Sequence, residues 1–174
     1  MFKKFIPHLN IDNVYDIDLA ALKEAGVRGI ITDLDNTLVG TNDPSAGPEL
    51  IAWFGRVRSL GFQIVIVSNN KYARVAAFSE PLGIPFIPKA KKPTSAAFRQ
   101  ALKLMGLTAA QAVVIGDQLL TDVLGGNRMG LKTILVHPIS LKGEAVTTRF
   151  NRRIERYIMN RLQRKGLIAW RDSR

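Results

Sequence analysis

Five short apolar runs set the frame: 28–32 (RGIIT), 63–67 (QIVIV), 84–87 (IPFI), 112–115 (AVVI) and 132–136 (KTILV). None alternates polar with apolar residues, so each reads as a strand covered on both faces, the environment of a parallel sheet. Between them lie amphipathic stretches at 49–60, 72–82, 94–105 and 119–129. Gly61, Gly83, Gly106 and Gly130 follow these stretches, where the carboxyl end of a helix can turn left-handed. Strand and helix repeated in this way require right-handed crossovers, which predicts an α/β fold built on a doubly wound parallel sheet. The domain is expected over 28–140, with an N-terminal extension at 1–27 and a basic helical extension at 141–174.

Open parallel sheets gather ligands at the carboxyl ends of their strands. That rule places three segments along one edge. Asp33-Leu34-Asp35-Asn36-Thr37 follows the first run, Ser68-Asn69-Asn70 the second, and Gly116-Asp117 the fourth. Two carboxylates separated by one residue as a strand turns can share a site. One can attack phosphorus, and the other can protonate the leaving oxygen and then deprotonate the resolving water. Taken alone, Asp and Asn there are also ordinary turn formers. Ser68 and the amides around Asn69 suit a phosphoryl oxygen at a helix start, and equally suit an N-cap. Lys92, before Pro93 and Thr94, can neutralise charge on a transferring phosphoryl group. By chemistry alone Lys89 or Lys91 could do the same. Asp117 emerges beside the first carboxylates, so Asp33, Asp35 and Asp117 are expected to converge as oxygen ligands for Mg2+. Asp122 could orient Lys92 or a metal-bound water. Gly125-Gly126 lacks a P-loop lysine and is read as a close-packing pair. Trp53 and Phe54, at helical spacing with Ile51 and Val57, are read as core.

Composition excludes several alternatives. With no cysteine there is no disulfide framework, thiolate metal site or cysteine nucleophile. No window approaches the roughly 18 apolar residues of a membrane span, and Pro7 and Asn10 interrupt any secretory apolar segment. A cytoplasmic protein is therefore expected. Charge is uneven: 15 basic against 11 acidic side chains in 1–140, but 10 against 3 in 141–174. In that tail Val146, Phe150, Ile154, Ile158 and Leu162 recur every fourth position as a helical stripe, with Arg149, Arg152, Arg153 and Arg156 on the opposite arc. The preferred reading packs the stripe on the domain with the arginines facing out. The alternative is peripheral contact with an anionic membrane through 149–165, for which Trp170 would suit the interface. Nucleic acid ranks below both, because aromatic platforms among the basic residues are sparse.

Together and in this order the polar segments resemble the four motifs of the haloacid dehalogenase (HAD) superfamily. The resemblance implies Asp33 as nucleophile, Asp35 as acid/base, Ser68 and Asn69 as phosphate-binding residues with Lys92, and Asp117 as metal ligand. Asn36, Thr37 and Asp122 are supporting residues. An aspartate two positions after the nucleophile resembles the phosphatase branches. The stretches between the motifs are filled by a helix and a strand each, which leaves no room for a cap domain. GIITDLDNTLV, VSNN, FSEPLGIPFIPKAKKP, GDQLLTDVLGGNRMG and TRFNRRIERYI are similar to the YqeG-like subclass IIIA phosphatases. That group has phosphatidylglycerophosphate phosphatases among its relatives. The resemblance therefore implies a magnesium-dependent phosphomonoesterase with a large or lipid substrate. Its rivals are a phosphatidylglycerophosphate phosphatase specifically, and a nucleic-acid- or ribosome-binding protein with an incidental pocket. Oligomeric state is left open.

Overall fold

The computed structural model describes residues 2–141 and 146–168. Among these, six strands form one sheet: β1 (Leu9–Ile11), β2 (Gly29–Thr32), β3 (Gln63–Val67), β4 (Phe86–Ile87), β5 (Ala112–Gly116) and β6 (Lys132–Val136). Their order is β1-β6-β5-β2-β3-β4, and every pairing is parallel. The helices are α1 (Leu19–Glu24), α2 (Pro48–Ser59), α3 (Tyr72–Ser79), α4 (Ser95–Met105), α5 (Leu124–Arg128) and α6 (Val146–Arg164). From β2 the chain winds outward through α2, β3, α3 and β4. α4 then carries it back across to β5 on the other flank of β2, and α5 leads on to β6. The winding reverses between β2 and β5, so their carboxyl ends border the crevice where such sheets bind ligands.

Alternate residues along each strand enter two separate cores, as the two-residue period of a strand requires. Ile30, Ile64, Ile66, Val113 and Ile115 pack with Trp53, Phe54 and Val57 of α2 and Val75 and Phe78 of α3. Ile31, Val65, Val67 and Val114 face the other way, against Phe98, Ala101 and Leu102 of α4. Ile51, expected in the core, is 51% exposed. Gly125 and Gly126 do permit close packing: a Cβ on Gly125 would lie 2.4 Å from the Phe98 ring, and one on Gly126 2.5 Å from Thr133 Cγ2.

Three boundaries differ from the sequence reading. β1, within the expected N-terminal extension, adds an edge strand beside β6. It is only three residues long and carries no apolar run, so its pairing partner makes it a strand. β4 begins after Pro85, which has no N–H to give to the ladder. Thr94 is the N-cap of α4, so Pro93 precedes the cap and is not part of the first turn.

α6 docks through Ile158, Met159 and Leu162 onto Leu119, Val123 and Leu135. The stripe is thus buried only in its second half; Phe150 is 62% exposed and Ile154 38%. Trp170 and the side chain of Val146 lie outside the described residues. No helix among the described residues is long and apolar enough to cross a membrane.

Candidate active site

β2 ends at Thr32, and Asp33 remains tied to the sheet by its N–H, which donates to Ile115 O of β5 at 2.9 Å. The chain then doubles back: Leu38 N donates to Leu34 O and Asn36 N to Val39 O. Asn36 sits at φ +63°, a left-handed conformation that asparagine tolerates better than most residues. Its main-chain and side-chain oxygens accept from Ile139 N and Ser140 N, fastening the turn to the segment after β6. This turn buries Asp33 and brings Thr37 Oγ1 within 2.9 Å of Asp117 Oδ1, to which it donates.

Lys92 is the lysine that reaches these carboxylates. Its Nζ lies 3.0 Å from Asp33 Oδ1 and 2.7 Å from Asp122 Oδ1, whereas Lys89 and Lys91 are exposed. Asn69 sets its position: Asn69 Oδ1 accepts from Lys92 N at 2.7 Å. Ser68, buried at the end of β3, accepts on Oγ from Asn70 N. On the β5 side Gly116 is obligatory, because a Cβ there would fall 2.2 Å from Asp122 Cγ.

Asp33, Asp117 and Asp122 each offer an oxygen within 4.8 Å of the others. Four buried carboxylates meet here, Asp33, Asp117, Asp122 and Glu155, against two cations, Lys92 and Arg152. Burial is the main force raising the pKa of Asp33 to about 8; Lys92 opposes it, while Asp122 and Asp117 add to it. Burial also raises Asp117 against the pull of Arg152, and raises Glu155 to about 7. Burial works against the Lys92 ammonium, yet Asp122 and Asp33 outweigh it and hold its pKa above the ordinary lysine value. With all four carboxylates ionised the cluster would be short of positive charge by two; burial answers by favouring their protonated forms, and a divalent cation on the carboxylate oxygens would favour the ionised ones instead. The donor set therefore fits such an ion.

Above this cluster opens a cavity of about 400 Å³. Asp33, Asp35, Ser68, Asn69 and Lys92 line it, joined by Thr147, Thr148 and Asn151 from the first turns of α6. A HAD-hydrolase-like family model matches residues 89–149. The probable phosphatase YqeG of Bacillus subtilis is 53% identical over 173 residues, covering 99% of this chain and all of that protein. The chain belongs to the YqeG-like phosphatases of the HAD superfamily. The chloroplastic/mitochondrial phosphatidylglycerophosphate phosphatase 1 of Arabidopsis thaliana is 31% identical over 93% of this chain, which spans 49% of that longer protein. The fold is shared with the cobalt-bound deoxy-D-mannose-octulosonate 8-phosphate phosphatase of Haemophilus influenzae, at a TM-score of 0.51 and 18% identity over 83% of this chain and 92% of that one.

Within this YqeG-like phosphatase, Asp33, Lys92, Asp117 and Asp122 converge. The Asp35 carboxylate does not join them. It stands at the cavity, where Arg74 Nη2 (3.0 Å) and Nε (3.1 Å) donate to Oδ1, and Asn70 Nδ2 to Oδ2. The cluster's third carboxylate is Asp122. Asn69 spends its side chain on the Lys92 main chain. Arg152 departs furthest from expectation. It does not face out on α6 but turns inward, its Nη1 donating to Asp117 O at 3.0 Å and its Nη2 to Asp117 Oδ2. The one available sequence signal is Glu155, the sole acid of α6, three residues after Arg152.

Proposed function

We propose that the chain hydrolyses phosphate monoesters through an aspartyl-phosphate on Asp33, with magnesium held by Asp33 and Asp117. The observation that carries this reading is the buried contact of Lys92 Nζ with Asp33 Oδ1 at the end of the central strand. Oδ1 also accepts from Leu34 N at 2.8 Å, so we assign attack to Oδ2. That oxygen bonds to phosphorus as the ester oxygen departs with a proton from Asp35. Asp35 then takes a proton from water, the water oxygen bonds to phosphorus, and the Asp33–phosphorus bond breaks to release inorganic phosphate. Lys92 and Ser68 face the phosphoryl oxygens. Magnesium supplies charge neutralisation at those oxygens when bound. Hydrolysis of p-nitrophenyl phosphate should cease on chelation with EDTA and return with excess magnesium. Full activity in EDTA would overturn the metal assignment.

α6 favours one class of ester. Between Val146 and Arg164 the only acid, Glu155, is buried, while Arg149, Arg153, Arg156, Arg161 and Arg164 are exposed beside Phe150, Ile154 and Tyr157. Cations flanking exposed apolar groups suit an anionic lipid surface. The exposed Phe150 is next in sequence to Asn151, which lines the cavity, so a lipid surface docked on this part of the helix would lie near the cavity that holds Asp33. The similarity to the Arabidopsis phosphatidylglycerophosphate phosphatase supports a lipid phosphate monoester. The chain should co-sediment with anionic vesicles, release in high salt as charges are screened, and ignore neutral ones. Equal binding to both vesicle types, or none, would remove the lipid reading.

A further inference from the structure

α6 is held to the domain in two different ways. Its second half is seated by the buried apolar contacts of Ile158, Met159 and Leu162. In its first half Phe150 is exposed and Ile154 only partly covered, and among the described residues neither joins a buried apolar cluster. What fastens that half is polar. Arg152 donates to both the main chain and the carboxylate of Asp117, its Nη1 lies 3.7 Å from Glu155 Oε2, and Glu155 Oε1 accepts from Leu120 N at 2.9 Å. Because Thr37 occupies Asp117 Oδ1, the guanidinium takes Oδ2.

We propose that Arg152 is a latch in competition with the metal. Magnesium at Asp117 loosens the first half of α6, and the seated helix weakens magnesium binding. The inference rests on Asp117 being a metal ligand, as proposed above. A guanidinium and a divalent cation drawing on one carboxylate share its negative charge and repel each other. Coupling of this kind is reciprocal: whatever the metal costs the latch, the latch costs the metal. Thr147, Thr148 and Asn151 line the cavity from the latched half, so release loosens that wall of the cavity. Removing Arg152 leaves Asp117 buried with one cation fewer, which increases what a divalent ion gains there.

Two measurements on the full chain test this. In calorimetric titration with magnesium alone, Arg152→Gln should bind about five-fold or more tightly than the wild type, the lower end of ordinary couplings. In hydrogen exchange on the wild type, magnesium should deprotect amides 149–155 and leave 158–164 unchanged. The second measurement needs no variant, so it decides the matter if Arg152→Gln does not fold. Equal or weaker binding by Arg152→Gln, or unchanged or increased protection of 149–155, would overturn the latch while the metal site stands. A wild type that binds no magnesium would overturn the metal site and the latch with it.

Discussion

Asp33→Asn should abolish turnover, a loss on the order of 10⁶-fold, comparable to removing the nucleophile of another covalent hydrolase. The amide keeps the shape of the carboxylate, but its nitrogen and carbonyl oxygen are too weakly nucleophilic to attack phosphorus. Stability should move the other way. In the metal-free protein burial raises the Asp33 pKa from 3.8 to about 8. A carboxyl whose folded pKa is raised stabilises the fold below its unfolded value, and that stability is lost as pH rises through the folded value. Asparagine does not titrate, so the variant should melt progressively higher than the wild type between about pH 4 and pH 8. A thermal melt series in EDTA measures this. A variant inactive because it is unfolded would melt lower throughout.

Asp35→Asn should affect the two half-reactions unequally. For an alkyl phosphate the leaving alkoxide needs a proton, and losing the acid should slow kcat by roughly 10²–10⁴-fold. An aryl phosphate releases a stable phenolate unaided, so Asp33 can still be phosphorylated. The water that resolves the intermediate then has no base. Rapid mixing with p-nitrophenyl phosphate should give a burst of phenolate equal to the enzyme present, followed by a slow steady rate. Equal slowing of alkyl and aryl substrates, with no burst, would place Asp35 outside proton transfer.

The buried strands and the glycines ending the helices were legible because both faces of the sheet are covered and the period of each element is local. The approach of Asp33 to Asp117 was also legible, since it follows from strand order and the carboxyl-end rule. What the sequence left open depends on partners far along the chain. Among Lys89, Lys91 and Lys92, chemistry makes no choice; burial against Asp33 and Asp122 does. Leu9–Ile11 becomes a strand because β6 offers an unpaired edge. Arg152 lies on the arc opposite the apolar stripe, where helical spacing alone points it to solvent. An arginine can be drawn inward where carboxylates wait, and Asp117 and Glu155 wait there. The two-residue spacing groups Asp35 with Asp33 as an expected metal ligand, but Arg74 and Asn70 hold its side chain at the cavity.

The central claim, covalent catalysis at Asp33, is tested most directly by trapping the phosphoenzyme. Asp35→Asn, mixed with radiolabelled aryl phosphate and magnesium and quenched in acid during the burst, should retain acid-stable label that hydroxylamine removes. Borohydride reduction followed by peptide mass spectrometry should then find homoserine at position 33. Label on another residue, or a variant that turns over the aryl phosphate with no burst and no label, would contradict the account.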